Sequence, residues 1–152
     1  MFHLYLPDYI EWPVSVDLPT KAGSRKVYTF TAHFHVLDQD DCDELKDQHN
    51  ALIVATIKRV EALRDYRSGS DLDPVTTPMP CSYEDLADAV LCGWGDDVVD
   101  ADGEPVEFTD SSKRKLYKIQ GASAAIFNAW LDSLGKPGEK SATKAGGFRA
   151  KN

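Results

Sequence analysis

The chain has 152 residues, 42% hydrophobic and 28% charged, and a formal net charge of −8. That length argues for one domain with its own core, and the acidity argues against a phosphate-backbone ligand for the folded part. Three cysteines without a C-x-x-C pair and no apolar run near the ~18 residues of a membrane span argue against a disulfide framework, a metal ribbon and an integral membrane protein.

The opening MFHLYLPDYI has no basic n-region, so we expect no signal peptide and a reduced, intracellular setting. After Trp12-Pro13, the run Val14-Ser15-Val16-Asp17-Leu18 alternates apolar and polar side chains, as a half-buried strand does. PTKAGSR (19–25) supplies turn chemistry. Val27 to Leu37 alternates again, with Tyr28, Phe30, Ala32, Phe34 and Val36 on one face and Thr29, Thr31, His33 and His35 on the other. The two runs predict an antiparallel hairpin with Phe30 and Phe34 facing inward.

From Glu44 to about Tyr66 there is no Gly or Pro. Leu45, His49, Leu52, Thr56, Val60 and Leu63 recur every three or four residues, and Ile53 and Ile57 widen the stripe. This spacing predicts a long amphipathic helix on which the hairpin packs. Arg67 to Pro80, with three prolines and no period, reads as a loop. Ser82 and Asp85 form a capping-box pattern ahead of Leu86, Ala89 and Val90, a short helix ending by Gly93. Thr109-Asp110 caps another through Lys118. Gly121 breaks the chain, and Ala122 to Leu134 predicts a last helix with Ile126, Ala129, Trp130 and Leu134 on one face and Phe127 and Leu131 on its flank. Lys136 to Asn152 holds five basic residues and one acid, leaving 12 basic and 24 acidic residues for Met1 to Gly135. The expected organisation is thus a single α+β domain over 1–135 and a basic, disordered tail over 136–152.

Between two of these helices lies GWGDDVVDADGEPVEF (93–108), with six acidic residues. A calcium loop with Gly103 at its sixth position would have Asp102 at position 5 and Asp100 at 3, but Val98 at 1 and Thr109 at 12, where ligands are required. Asp102-Gly103 between apolar Val98-Val99 and Val106 to Phe108 instead signals a tight hairpin, which Pro105 limits to a short ribbon. His33 and His35 share a strand face as zinc ligands would, but no third ligand is signalled, and solvated strand histidines are the simpler reading. There is no G-x-S-x-G, no P-loop and no cysteine–histidine signature, and Cys92 stands at a helix end that disfavours a thiolate. We therefore expect no catalytic, cofactor or metal residues, and an interaction protein rather than an enzyme.

The order of segments is informative. Asp85-Leu86-Ala87-Asp88-Ala89-Val90-Leu91 leads to Gly93-Trp94 and Asp97-Val98-Val99-Asp100, then Asp102-Gly103-Glu104-Pro105-Val106-Glu107-Phe108-Thr109, a helix, Ile119-Gln120-Gly121-Ala122, and a helix ending in Trp130-Leu131. This order, with the Trp12-Pro13-Val14 strand and the Phe-rich strand after it, resembles the tail assembly chaperones of long-tailed bacteriophages over roughly Trp12 to Leu134. Gln120 stands where that family often has Pro. The resemblance implies binding of the tape measure protein, help in polymerising tail tube subunits around it, location in the host-cell cytoplasm and absence from the finished virion. It also implies a frameshifted longer product, for which Gly135-Lys136 is a candidate slip site. Trp94 and Trp130 are the candidate partner contacts, since aromatic residues are enriched at interface hot spots. Self-association is a further expectation; nucleic acid and membrane are not expected partners. The rival from another class is a virion structural part of the tail or head–tail junction, of terminator or connector type, which would present a large self-complementary interface.

Overall fold

The computed structural model describes residues 1–2, 4–67, 69 and 78–135. The expected tail and most of the expected loop before Pro78 lie outside the described residues. Alternation drives the first two elements. Strand β1 (Tyr9–Pro19) buries Val14 and Val16 and exposes Pro13, Ser15 and Asp17. Strand β2 (Arg25–His35) buries Phe30, Ala32 and Phe34. They pair antiparallel in a register that sets Val14 against Phe30 and Ile10 against Phe34, so the apolar side chains of both share one face. On the other face the Ser15 and Thr29 hydroxyls hydrogen-bond at 3.0 Å. Pro13 and Pro19 lie on β1, an edge strand, where a missing N–H is tolerated and pairing by a foreign strand is discouraged.

The helices follow their caps. Helix α1 (Gln39–Arg67) starts earlier than the periodicity indicates, because Asp38 Oδ1 accepts from the Asp41 N–H at 2.8 Å. Helix α2 (Tyr83–Val90) opens on the expected Ser82–Asp85 capping box. Helix α3 (Asp110–Tyr117) opens on Thr109, whose box partner is Ser112. Helix α4 (Ala122–Ser133) follows Gly121. One element differs from the sequence reading. Residues expected to finish α2 instead form strand β3 (Leu91–Trp94), antiparallel to β2, completing the order β1-β2-β3. The open edge of β2 is the reason: Ala32, His33 and Phe34 offer it pairing partners. Gly93 lets the strand come close, since a Cβ there would lie 3.1 Å from His33 Nδ1.

The core sits between the apolar sheet face and a helical layer. Val14, Phe30, Ala32 and Phe34 from the sheet join Leu86, Ala87 and Val90 of α2 and Ile126, Phe127 and Trp130 of α4. Helix α4 lies against β1 and α2 against α4. Phe127 is fully buried, whereas Leu134, expected on the inward face, is exposed. The long helix meets the core through its first half alone: Cys42, Leu45 and Leu52 are its buried residues. The helix that covers the sheet is α4, and the second half of α1 leaves its stripe uncovered.

Candidate interaction surface

The acidic stretch 93–108 is architectural. The Val106 N–H donates to Val98 O at 2.8 Å and the Asp100 N–H to Glu104 O at 2.9 Å, closing the expected ribbon with its one bridge between Val99 and Pro105. Gly103, with φ +81°, makes the turn at its tip. Asp100 Oδ1 accepts from the N–H groups of Asp102 and Glu104 at 2.9 and 3.0 Å, so this carboxylate holds the turn together. Asp97 does comparable work at the sheet. Its Oδ2 accepts from both the backbone N–H and the hydroxyl of Thr31 at 2.9 Å, just beyond the end of β3.

Trp94 and Trp130, the sequence candidates for partner contact, are both interior. Trp130 is 1% exposed and packs on Phe127, with ring centroids 5.3 Å apart. Trp94 is 8% exposed; its Nε1–H donates to Val106 O at 2.7 Å and its ring meets Phe108 edge-on. Trp94 thus fastens the ribbon to the sheet. Neither indole offers an open surface while this fold is intact.

The polar clusters are internally satisfied. Asp88 Oδ1 accepts from Lys113 Nζ at 2.7 Å and from the Tyr117 hydroxyl at 3.1 Å, tying α2 to α3. The Lys113 hydrogen bond holds the Asp88 carboxyl below its ordinary range, and Asp88 in turn raises the Lys113 ammonium. Burial, then Asp88, pushes the Tyr117 hydroxyl up. His49 lies 3.0 Å by Nε2 from the Tyr83 hydroxyl and packs on Phe127; burial pushes its pKa down, so it is neutral in the fold. His33 stacks on Tyr9 and reaches Glu11 at 3.6 Å, while His35 is exposed. No group of three or more metal-ligating side chains gathers among the described residues. Burial also raises the thiols of Cys42, Cys81 and Cys92, which keeps them protonated and poorly nucleophilic.

What stands open is apolar. On α1, Ile53, Val54, Ile57 and Val60 are 39%, 50%, 53% and 52% exposed, and Leu63 and Tyr66 continue the exposed set. Ile53, Ile57 and Val60 are spaced four and three residues apart, so they form one line along the helix. Beside it, Asn50, Ala51, Val54, Ala55, Lys58 and Pro78 line a shallow, open hollow of about 490 Å³. Phe2, Leu4, Tyr5 and Leu6, ahead of β1, are exposed as well. The stripe was visible in the sequence, but there it read as core; its register alone does not say what covers it. No helix among the described residues is long and apolar enough to cross a membrane. Comparisons with protein-family models, with curated proteins and with solved structures give no match for this chain.

Proposed function

We propose that this chain is a tail assembly chaperone of a long-tailed bacteriophage. It holds the tape measure protein in the host-cell cytoplasm, keeps it soluble while tail tube subunits polymerise around it, and stays out of the finished virion. The observation that carries this is the uncovered stripe Ile53, Ile57 and Val60 on the second half of α1. A long helical client exposes apolar ridges of its own before assembly. Ridges of one helix fit the grooves of another, so a projecting helix with an open apolar line is a natural cradle. The ordered segments from Asp85 to Leu131 supply the second support, through their resemblance to that chaperone family. The body's excess of 24 acidic over 12 basic residues within 1–135 keeps a loaded complex dispersed and repels the phage genome.

Co-expression tests it. The tape measure protein of the same phage should be mostly insoluble alone and soluble with this chain. Ile57→Asp, at an exposed position, should abolish that rescue without unfolding the chain. A tape measure protein equally soluble with and without this chain would remove the proposal.

A further inference from the structure

The sheet has two lateral edges, and only one of them is defended. Thr31 turns its N–H to Asp97 Oδ2 and its C=O to the Gly95 N–H, both on the β3 side of β2. The β1–β2 register runs unbroken from Tyr9↔His35 to Pro19↔Arg25, so backbone groups alternate strictly along β2. Arg25, Val27 and Thr29 therefore point their N–H and C=O groups the same way as Thr31. Strand β3 ends at Trp94, opposite Ala32, and no hydrogen bond from the described residues reaches those groups. On β1 the same alternation turns the odd-numbered residues outward, and Pro13 and Pro19 among them have no N–H to offer. The open edge is also apolar on both faces of the sheet. Val27, on the outer face, is 59% exposed, and Tyr28, on the core face, 47%.

We propose that a second copy of this chain covers this edge, the two β2 strands running antiparallel about a twofold axis at Val27 and joining the two sheets into one. The segment is complementary to itself in this register. Val27 faces Val27 of the partner subunit, Arg25 faces Thr29 of the partner subunit, and Lys26 faces Tyr28 of the partner subunit. The opposed odd-numbered positions exchange roughly six backbone hydrogen bonds. Lys26 Nζ already lies 5.1 Å from the Tyr28 ring of its own chain, and pairing sets it beside a second ring. Neighbouring registers are worse. Sliding by two toward Thr31 places Arg25 opposite Thr31 of the partner subunit, whose backbone groups are taken by Asp97 and Gly95. Sliding by two the other way sets Lys26 on its own counterpart, and like charges directly opposite are unfavourable. The segment 136–152, with five basic residues and one acid, would meet Arg25 and Lys26 there, so charge argues against it as the occupant. Each copy has one open edge and one blocked by proline, so pairing closes at two copies and does not propagate. The seam is short, which makes the pair weak and reversible. It uses no residue of the α1 stripe and does not rest on the function proposed above.

Sedimentation equilibrium of the full chain up to about 1 mM tests it. Expected is a monomer–dimer equilibrium whose heavier species has twice the 16.8 kDa chain mass. Val27→Lys and Val27→Glu each set like charges across the twofold and should each weaken pairing by at least about tenfold, with circular dichroism unchanged. An equimolar mixture of the two should pair again, because each then meets its opposite. Val27→Pro removes one edge N–H without touching the β1–β2 hydrogen bonds, and should weaken pairing likewise. A short thiol cross-linker should join two Val27→Cys copies and leave Ser15→Cys copies, on the blocked strand, no more linked than the native chain. A monomer throughout that range, a dimer indifferent to Val27→Lys, no recovery in the mixture, assemblies that grow beyond two copies, or a dimer abolished by Ile57→Asp but not by Val27→Lys would overturn the pairing. If the dimer forms as described and the tape measure protein is not rescued, the pairing stands and the chaperone function falls.

Discussion

Trp94→Phe decides whether the indole is a contact or a fastener. The substitution keeps an aromatic ring beside Phe108 and removes the Nε1–H that donates to Val106 O at 2.7 Å. A net hydrogen bond of this kind contributes about 1 kcal/mol, and a carbonyl left without its donor adds to the loss if water does not reach it. The smaller ring leaves a void in a site that is 8% exposed; at ~24 cal/mol per Å³, a residual void of about 40 Å³ costs about 1 kcal/mol. The sum is roughly 2–3 kcal/mol, a sizeable part of the ~5–15 kcal/mol that folded domains have in all. Thermal unfolding followed by circular dichroism reads it directly, at roughly 2–4 °C per kcal/mol for a chain of this size. Rescue of the tape measure protein below the new midpoint should be unchanged. An unaltered midpoint combined with lost rescue would refute the fastening role and return Trp94 to the list of contacts.

The two faces of β2 should differ sharply. Phe34→Ala, at a fully buried position, should cost about 3–5 kcal/mol in denaturant unfolding, whereas His33→Ala, which gives up a stack on Tyr9 and a surface pair with Glu11, should cost about 1 kcal/mol or less; a costlier histidine would invert the facing assigned here. His49 should make the fold acid-sensitive. Its folded pKa lies below the ordinary 6.5, so as pH falls through that value the unfolded chain takes the proton first and stability drops, and His49→Gln should flatten stability against pH from about 6.5 downward; equal slopes for the two proteins would remove His49 as the cause. Calcium titrated calorimetrically should give nothing tighter than about millimolar, because the loop lacks ligands at its first and last positions and Asp100 Oδ1 already holds two backbone N–H groups. Micromolar binding lost on Asp100→Asn with Asp102→Asn would contradict the architectural role of the ribbon.

Local patterns were readable from the sequence because local physics makes them. Strict alternation over Val14–Leu18 and Val27–His35 yields the hairpin with Phe30 and Phe34 inward, Ser82 and Asp85 yield a capping box, and Asp102-Gly103 yields a ribbon tip. Features that depend on a distant partner were not readable. Leu91–Trp94 becomes a strand only because β2 has a free edge beside it. The α1 stripe has one periodicity, yet Leu45 and Leu52 are covered by this chain's own core while Ile57 and Val60 are not, and no spacing rule separates those outcomes. Trp94 and Trp130 illustrate the same limit from the other side. A tryptophan favours interfaces and interiors for one reason, its large apolar area, so only the fold distinguishes them.

The most direct measurement is made in infected cells. The chain, carrying an affinity tag, is recovered before lysis and its partners are identified by mass spectrometry, and purified virions from the same infection are quantified for the chain itself. Expected is co-recovery of the tape measure protein with the native chain, its loss with Ile57→Asp, and no stoichiometric copy of the chain in the virion. Recovery without the tape measure protein, or a fixed copy number in finished particles, would contradict an assembly chaperone; the second result would instead favour a structural part of the tail or head–tail junction.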